Sequence, residues 1–397
     1  MAAVREPARP KGAIAPPAGA GMAAGANAAA DAVREAVAAL HGDPSLVLLF
    51  PDGSLDASAA LEQARGVVPG VNVAGMTASG EIGPGGPIED GCSAMAFSPT
   101  VASGVGVAEA ASEDPRAAGA SAATAALRNV DVQAGHPLLM LFVDTSSGDQ
   151  SDVVAGAYEV AGPDVPLVGG AAGGAEPAQL ALAVARRDRV VAVALVSPDP
   201  IGVGVAHGCS PCAVPSIVTR AEGRVVVHLD GRPAEQVYLE KLGHPDSEAI
   251  GDDEFERLAA VHPIAQPELR GDVRLRHVLG RANGGGLECA THIPSGAAVE
   301  FRRQTPDAIV RSTFDAVSEA LRPLRGPARA ALVFDCAGRR RALGGPGEPL
   351  NAEVRALMSS FGGEAPQIAG LYTRGEVGRV RGAKGDRNHA IVVAAFG

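Results

Sequence analysis

The stretch "VNVAGMTASGEIG", residues 71–83, has a near copy close to the end of the chain in "PQIAGLYTRGEVG", residues 366–378. Each copy contains a short apolar run, a glycine, a small polar turn and a Gly-Glu pair. An apolar run that ends in glycine predicts a strand followed by a tight loop. The echo therefore indicates that one structural unit occurs more than once in the chain.

Three longer segments share a common plan around this echo. Each begins with an apolar strand that ends in phenylalanine, at Phe50, Phe142 and Phe334, and continues through a polar loop, a helix and a second strand that runs into glycine. In the third segment the loop "GRRRALGGPGEP" lengthens the connection. Strand-helix-strand connections within one sheet run parallel, so we expect the loops after the strands to lie together at one edge, where ligands tend to bind.

A second echo follows the first. The segments "SGVGVAEA" (103–110) and "IGVGVAHG" (201–208) each come after an apolar strand and a Ser-Pro turn, and predict a further strand in each unit. The sequence therefore predicts an α/β fold with a layered mixed-sheet architecture, built from repeated strand-helix-strand units in two pseudo-related domains. A hairpin and a helix beginning at Thr305-Pro306 are predicted between the second and third units.

The domain organisation follows from these units and from composition. We place a boundary near residue 225, which divides the chain into a disordered arm (1–30), an N-terminal ligand-binding domain (31–225) and a C-terminal domain (226–397). In the arm, Arg5, Arg9 and Lys11 precede an alanine-rich stretch like that of a secretory signal, but Pro16 and Pro17 interrupt the apolar region that such a signal needs. We therefore expect a cytoplasmic protein.

Composition and charge argue against a membrane span and against a nucleic-acid partner. The 397 residues are 46% hydrophobic, but no uninterrupted apolar run reaches the length of a membrane span, so none is predicted. The net charge is −11, although residues 321–397 carry +6 and the remainder −17. With no tryptophan and 3% aromatic residues, the basic region lacks the pattern of a nucleic-acid surface. We expect it to dock on the acidic part or to bind a small anion.

The five cysteines do not form a disulfide framework. Cys92, Cys289 and Cys336 stand in apolar, strand-like runs, where a thiol is usually a small hydrophobic side chain. Cys209 and Cys212, in "CSPC", have the spacing of a redox pair or half a zinc site, but no second pair completes it. A structural role is the prediction, and redox activity stays open.

Five fragments in order resemble the FIST domain, in both its N-terminal and C-terminal parts. They are "VNVAGMTASGEI", "VPLVGGAAGG", "VTRAEGRVVVHLDGRPAEQVYLEKLG", "LVFDCAGRR" and "AGLYTRGEVG". The resemblance extends over most of the chain from about Ala30 onward. It implies a sensory protein of bacterial signal transduction that binds a small metabolite such as an amino acid, with residues 31–225 as the N-type and 226–397 as the C-type domain. Because no kinase, cyclase or methyl-accepting region follows, it also implies a separate signalling output protein as partner.

The polar residues of the echoed loops are the first candidate site. The predicted ligand contacts there are Thr77, Ser79, Glu81, Tyr372, Arg374 and Glu376. Glu81 and Glu376, related by the repeat, could face each other across a pseudo-twofold cleft and bind an ammonium group, while Arg374 binds a carboxylate. The alternative is that both glutamates accept hydrogen bonds from backbone amides and hold the two halves together.

The loops after the first strand of each unit form a second cluster, which comprises Asp52, Asp144, Thr145, Ser146, Asp335, Arg339 and Arg340. Of these, Asp144 and Arg339 are candidate ligand contacts. Acidic residues in such loops also cap the following helix, and Asp149 or Ser151 suits that role. The run "GGAAGG", residues 169–174, lacks the Lys-Ser/Thr ending of a phosphate loop, which favours close packing of the backbone.

No metal or cofactor is predicted from the residues themselves. Some relatives in the FIST family bind haem and sense nitric oxide, so a haem sensor stays open as an alternative, although the nine histidines are scattered and none stands in C-x-x-C-H. No G-x-S-x-G or H-E-x-x-H motif occurs, so binding without catalysis is the prediction. An enzyme that uses the Glu81 and Glu376 carboxylates is the remaining alternative.

Overall fold

The computed structural model describes residues 16–83, 85–144, 149–244, 250–268, 273–363, 365–379 and 385–397. Helices and strands alternate through this part of the chain, and its sheets contain both parallel and antiparallel pairs, which confirms the predicted α/β class. The helices described are α1 (Ala28–Leu40), α2 (Ala57–Val67), α3 (Pro115–Leu127), α4 (Gln150–Ala161), α5 (Ala234–Lys241), α6 (Asp252–Val261), α7 (Pro306–Leu321), α8 (Ala337–Ala342) and α9 (Glu348–Ser360).

The strands fall into three groups along the chain. The first group is β1 (Ala18–Ala24), β2 (Leu46–Pro51), β3 (Asn72–Met76), β4 (Glu81–Gly83), β5 (Gly86–Ile88), β6 (Gly91–Phe97), β7 (Ala102–Glu109), β8 (His136–Val143), β9 (Leu167–Ala171), β10 (Gln179–Ala181), β11 (Val184–Arg186), β12 (Arg189–Ser197) and β13 (Ile201–His207). The second is β14 (Cys209–Pro211), β15 (Ser216–Glu222), β16 (Val225–Leu229), β17 (Arg232–Pro233), β18 (Ile264–Pro267), β19 (Val273–Arg276), β20 (Val278–Ala282), β21 (Gly286–Cys289) and β22 (Ala298–Gln304). The third is β23 (Ala330–Cys336), β24 (Gln367–Thr373), β25 (Glu376–Arg379), β26 (Asp386–Arg387) and β27 (Ala390–Phe396).

Three six-stranded sheets share one strand plan. Their orders are β1-β6-β2-β3-β10-β11, β7-β12-β8-β9-β25-β26 and β13-β27-β23-β24-β4-β5. Within each sheet the parallel pair joins the two strands of a strand-helix-strand unit, namely β2 with β3, β8 with β9 and β23 with β24. The neighbouring pairs are antiparallel. The three repeated units are therefore three copies of one structural plan.

The last two strands of each sheet come from a different unit. Strands β4 and β5 leave the first unit for the third sheet, β25 and β26 leave the third for the second, and β10 and β11 leave the second for the first. Equivalent residues occupy equivalent register positions in this exchange: Glu81 lies opposite Leu371, Gln179 opposite Met76, and Glu376 opposite Gly170. The units are thus interlocked in a cycle.

The predicted division at residue 225 falls inside a hairpin. Strands β15 and β16 pair with each other across that point, and β13 pairs along its length with β27 at the end of the chain. A hairpin is one hydrogen-bonded element, so a domain boundary cannot fall inside it. The chain forms one three-sheet body, into which the segment from β14 to β22 is inserted.

The predicted disordered arm is wrong for residues 18–30. Strand β1 pairs residue by residue with β6, from Ala18 opposite Phe97 to Ala24 opposite Gly91, and α1 begins at Ala28. Residues 1–15 lie outside the described part of the chain. The first unit therefore begins with the strand "AGAGMAA", which matches the later "SGVGVAE" and "IGVGVAH" strands.

The glycines of these three strands allow a helix to lie close against each sheet. A Cβ at Gly21 would lie 2.1 Å from the backbone oxygen of Ala32, and one at Gly204 would lie 1.8 Å from that of Ala316. Such distances leave no room for any side chain. The third sheet-helix pair, between β7 and α3, is built in the same way, and the repeated G-x-G pattern thus positions α1, α3 and α7.

The core lies where the inner faces of the three sheets meet. The rings of Phe50, Phe142 and Phe334 pack against one another with centroids 5.8, 6.3 and 6.4 Å apart. These phenylalanines lie near the ends of β2, β8 and β23, the first strands of the three strand-helix-strand units, and all three are fully buried. Three further apolar clusters lie between the outer faces of the sheets and their helices. The architecture is therefore three helix-covered sheets around a shared interior.

The inserted segment forms a nine-stranded antiparallel sheet with its own core. Its strand order is β19-β18-β22-β15-β16-β21-β20, and β14 and β17 pair with β22 and β16. Helices α5 and α6 contribute Tyr238 and Phe255 to this core. The Thr305 side chain caps α7, and Pro306 occupies its first turn, as the sequence predicts. Asp386 joins the inserted sheet to the body through ion pairs with Arg274 and Arg276, at 3.2 and 2.8 Å.

Candidate functional site

The loops that follow β3, β9 and β24 are called the glycine loops. A cleft of about 580 Å³ lies where these three loops of the body meet the inserted sheet. Each repeated unit contributes one loop to it: Ser79 follows β3, Pro177 follows β9, and Arg374 follows β24. Leu279 and Thr291 line it from the inserted sheet. The cleft therefore stands at the carboxyl ends of the parallel strands, the edge at which the sequence predicts a ligand.

The loops that line the cleft are held together by backbone hydrogen bonds. The Ser79 amide donates to the Tyr372 carbonyl at 2.8 Å, and the Tyr372 amide donates to the Gly80 carbonyl at 2.9 Å. The Gly173 amide donates to the Thr77 carbonyl at 2.9 Å, which joins the loop of the second unit to that of the first. The two echoed stretches thus lie side by side, with the third loop beside them.

Four arginines line the cleft: Arg187, Arg224, Arg341 and Arg374. Arg224 forms an ion pair with Glu288 at 3.3 Å, and Arg341 forms one with Glu256 at 2.7 Å. Within the described residues, Arg187 and Arg374 have no ion-pair partner, and both side chains are exposed. No carboxylate belongs to the described lining, so the cleft has a positive wall in a chain whose net charge is −11.

A chain of hydrogen bonds orients the histidine that lines the cleft. The Gln304 Oε1 atom accepts from Nδ1 of His389 at 2.9 Å, so Nε2 of a neutral His389 is an acceptor. His277 Nδ1 lies 2.8 Å from that Nε2 and therefore donates to it. Burial lowers the pKa of His277 to about 4, with a further contribution from the charge of Arg341. His277 is thus neutral, and its Nε2 atom remains an acceptor.

Buried polar side chains complete the lining. Gln150 donates its amide to the Glu376 carbonyl at 3.0 Å, and Asn388 Oδ1 accepts from the His277 amide at 3.2 Å. Thr291 is 3% exposed and lines the cleft, but its hydroxyl has no hydrogen-bond partner among the described residues. A buried hydroxyl without a partner is unfavourable by a few kcal/mol, which a ligand that hydrogen-bonds to it would relieve.

The structure places the two predicted glutamates beneath the loops rather than in the cleft. Glu81 and Glu376 are both fully buried, and neither is among the lining residues. Glu376 accepts from the Thr373 hydroxyl at 2.9 Å and the Ala390 amide at 3.2 Å. The two glutamates therefore do not face each other across the cleft as a site for an ammonium group. The contacts of Glu376 instead match the alternative, in which the carboxyl group accepts a hydrogen bond from a backbone amide.

Burial also changes the charge state of these carboxyl groups. It raises the pKa of Glu81 to about 9, and repulsion from Asp52 adds to the effect. It raises the pKa of Glu376 to about 8, against hydrogen bonds that favour the ionised form. Both groups are therefore protonated at neutral pH. The third equivalent position carries Gln179, a neutral amide, which donates to the Val143 carbonyl at 3.0 Å.

Some of the other residues predicted from the echoed loops line the cleft, and others hold the loops in place. Ser79 and Arg374 line the cleft, as described above. The Thr77 hydroxyl donates to the Gly173 carbonyl at 2.8 Å and accepts from the Ala178 amide at 3.0 Å, so it holds the loops in place. Tyr372 is fully buried, and the guanidinium of Arg340 lies 5.3 Å above its ring. Neither Thr77 nor Tyr372 belongs to the lining.

The second predicted cluster also has structural contacts. Arg339 is completely buried and pairs with Asp335 at 2.7 Å and Glu353 at 2.5 Å, away from the cleft. Asp144 accepts from the Asp188 amide at 2.8 Å and does not line the cleft. The role predicted for Arg339 and Asp144 as ligand contacts therefore has no geometric support.

Two further aspartates of these loops hold the local backbone in place. Asp52 accepts from the Ser54 amide at 2.8 Å, and Asp149 caps α4 by accepting from the Ser151 amide at 2.8 Å, which confirms its predicted capping role. The predictions for Thr145 and Ser146 fall outside the described residues.

The cysteines are free thiols with raised pKa values. Cys209 and Cys212 pack into different apolar clusters, which is consistent with a structural role, and burial raises the pKa of Cys209 to about 12. Cys336 lines the cleft, and its sulfur accepts from the backbone amides of Gly338 and His389 at 3.3 and 3.2 Å. Burial raises its pKa well above the ordinary value, so the thiol stays protonated.

Sequence reasoning did not find Arg187, Arg224, His277 and Thr291. Arg224 lies in the turn of the predicted hairpin, and Arg187 lies in the basic run "RRDR". Neither local pattern indicates that the side chain contributes to a ligand site. Their convergence depends on how the inserted sheet docks on the body, and no sequence periodicity encodes that contact.

None of the helices in the described part of the chain combines the length and apolar character of a membrane span. Among uncharacterized mycobacterial proteins, one from Mycobacterium bovis is 27% identical over 195 residues, covering 48% of this chain and 49% of the relative. Another from Mycobacterium tuberculosis is 29% identical over 196 residues, covering 49% and 50%. The chain thus spans about half the length of these curated relatives.

A solved structure with partial similarity is a cyanuric acid hydrolase from A. caulinodans, with 10% sequence identity and a TM-score of 0.33 over 96% of this chain and 99% of that one. The family models give a far more specific match. The FIST N domain matches residues 45–232, and the FIST C domain matches residues 234–379. FIST domains are associated with sensing in signal transduction. Since the two matches together include most of the residues of the body and the inserted sheet, this chain belongs to the FIST family.

Proposed function

We propose that this protein is a sensor that binds a small anionic metabolite in the cleft between its three glycine loops and its inserted sheet. The observation that carries the proposal is the cleft itself, whose described lining holds four arginines and no carboxylate. Guanidinium groups bind carboxylates and phosphates through paired, charge-assisted hydrogen bonds. A site of this charge at the carboxyl edge of the parallel strands suits an anion better than a neutral or cationic ligand.

The contacts support only part of the amino-acid expectation. Arg374 lines the cleft and is available for a carboxylate, as the sequence predicts. The glutamates that were expected to hold the ammonium group are buried and protonated. Haem is kept in the test below, because a haem site needs a ligating histidine and His277 lines the cleft. The proposed ligand is therefore a small anion, and the proposed event is binding without turnover.

The site supports signalling because its two sides belong to different parts of the fold. Arg374 and Ser79 come from the body, whereas Arg224 and Thr291 come from the inserted sheet. A ligand that contacts both sides stabilises one arrangement of the two parts by its binding energy. We propose that a separate output protein recognises that arrangement.

Binding can be tested by thermal unfolding of the purified chain with acetate, succinate, malate, aspartate, glutamate, inorganic phosphate and haem. A ligand at about 100 times its dissociation constant adds roughly 2.7 kcal/mol to the free energy of unfolding, which gives a clear rise in Tm. We expect an anion to raise the Tm, and Arg374→Gln to remove the effect. Arg65→Gln, at an exposed residue of α2, is the matched control. No shift with any anion would contradict the proposal.

A further inference from the structure

We infer that the ligand is a small dicarboxylate that carries a hydroxyl group and no ammonium group. This inference rests on the proposed function and specifies the ligand class of the same cleft. It follows from three features of the lining: its uncompensated positive charge, its lack of acidic side chains, and two neutral groups, on His277 and Thr291, that can form hydrogen bonds with a hydroxyl group.

The charge of the lining matches a dianion. Glu288 and Glu256 neutralise Arg224 and Arg341. Within the described residues, this leaves the guanidinium groups of Arg187 and Arg374 without a counter-charge. Arg187 lies in the turn between β11 and β12, and Arg374 lies between β24 and β25, so the two charges approach from different units. Two separated cations are best compensated by two separated carboxylates on one ligand.

The same lining disfavours an ammonium group. None of the described lining residues carries a carboxylate, and Glu81 and Glu376 lie beneath the loops. An ammonium in this cleft would lose water and would face the guanidinium groups of Arg187 and Arg374 with no carboxylate among the described lining residues to pair with it, which is unfavourable. An amino acid is therefore bound less well than the acid of the same skeleton that lacks the amine.

Two neutral groups of the inserted sheet suit a hydroxyl. The hydrogen-bond chain from Gln304 through His389 leaves Nε2 of His277 as an acceptor. The Thr291 hydroxyl is buried, lines the cleft and has no partner in the part of the chain that the structure describes, so it can both donate and accept. A hydroxyl on the ligand can donate to the imidazole and accept from the threonine, which an unsubstituted dicarboxylate cannot do.

The experiment measures dissociation constants by titration calorimetry of the full chain with malate, succinate and aspartate, which share one carbon skeleton, and with inorganic phosphate. We expect malate to bind at least tenfold more tightly than aspartate and more tightly than succinate. Arg187→Gln and Arg374→Gln should each weaken malate binding at least tenfold, whereas Arg65→Gln should leave it unchanged. Thr291→Val should remove the preference for malate over succinate, and Thr291→Ser should retain it.

The outcomes separate this inference from the proposed function. If aspartate binds as tightly as malate and Arg374→Gln abolishes both, the anion-binding function stands and the dicarboxylate inference fails. Binding of phosphate with no binding of either dicarboxylate would also overturn the inference, because the anion would then be a phosphate. If no anion in the panel binds, the proposed function and the inference fail together.

Discussion

The ring of Phe50 packs edge-on against the ring of Phe142, with centroids 5.8 Å apart and planes inclined at 84°. The two residues lie near the ends of β2 and β8 in successive repeats, and Phe334 of the third repeat completes the cluster. The meeting of these three rings shows that the three repeats surround a common interior. It also explains why the loops that follow the strands converge on one cleft.

This central cluster should dominate stability. Phe142→Ala removes a fully buried ring from the contact of the three sheets, and we expect a loss of about 3–5 kcal/mol in the free energy of unfolding. Urea denaturation followed by circular dichroism measures the loss. Phe314→Ala, at a ring that is 44% exposed on α7, is the control and should cost less than about 1 kcal/mol. Equal losses for the two variants would contradict a shared core.

The G-x-G strands should not tolerate a side chain. Gly106→Ala would place its Cβ 2.1 Å from the Ala122 backbone oxygen, so α3 must move away from its sheet. We expect a loss of more than about 2 kcal/mol, because overpacking of this kind forces backbone shifts. The matched control is Gly66→Ala, in exposed α2 with open space around it, which should gain about 0.5–1 kcal/mol from helix propensity. Denaturant unfolding of both variants checks the pair, and a neutral Gly106→Ala would refute the close approach.

The buried carboxyl of Glu81 should make stability depend on pH. Its pKa is raised to about 9 in the folded chain from an ordinary value of 4.5, so the folded state retains a proton that the unfolded chain releases. The contribution of Glu81 to the free energy of unfolding is therefore fully present below about pH 4.5 and is lost as the pH rises toward 9. Glu81→Gln removes this dependence, and we expect it to stabilise the protein at pH 8 by up to about 5 kcal/mol.

Gln179 supports that expectation, because a neutral amide already occupies the equivalent position of the second unit. The measurement is the free energy of unfolding from pH 5 to pH 9 for the wild type and Glu81→Gln. The variant should have the shallower decline, with the remainder arising from Glu376, whose pKa is raised to about 8. Parallel curves for the two proteins would show that Glu81 is not the titrating group.

The buried ion pairs of Arg339 are expected to be structural. Arg339→Met leaves Asp335 and Glu353 facing each other without a cation, and we expect a loss of about 3–5 kcal/mol. Arg128→Met, at an exposed arginine just after α3, should change stability by less than about 0.5 kcal/mol. Thermal and urea unfolding compare the two. If Arg339→Met unfolds like the wild type but loses anion binding, the residue belongs to the site after all.

Much of the fold could be predicted because repetition is written directly in the residues. The strand-ending phenylalanines, the glycine loops and the Gly-Glu echo identified three units and their parallel strand pairs. Strand β1, which precedes the first strand-helix-strand unit, was missed because "AGAGMAA" is rich in alanine and glycine, which are poor strand formers in isolation. Its strand conformation depends on pairing with β6, a partner some seventy residues away in the chain.

The candidate site could be predicted only in part. Ser79 and Arg374 were found because they stand in the echoed loops, and those loops do line the cleft. The roles of Glu81 and Glu376 were misjudged because side-chain direction alternates along a strand, and a sequence does not show which face of an exchanged strand is covered. The wall formed by Arg224 and Thr291 depends on a docking contact between distant segments.

The sequence by itself determined the repeated strand-helix-strand units, the glycine turns that end their second strands, and the position of the echoed loops at the carboxyl ends of those strands. These are local properties, set by periodicity and by the absence of a Cβ. The tertiary structure decided the cyclic exchange of strands, the burial of Glu81 and Glu376, and the convergence of four arginines on one cleft. Each of these depends on which surfaces pack together, and the free energy of packing is shared among residues far apart in the chain.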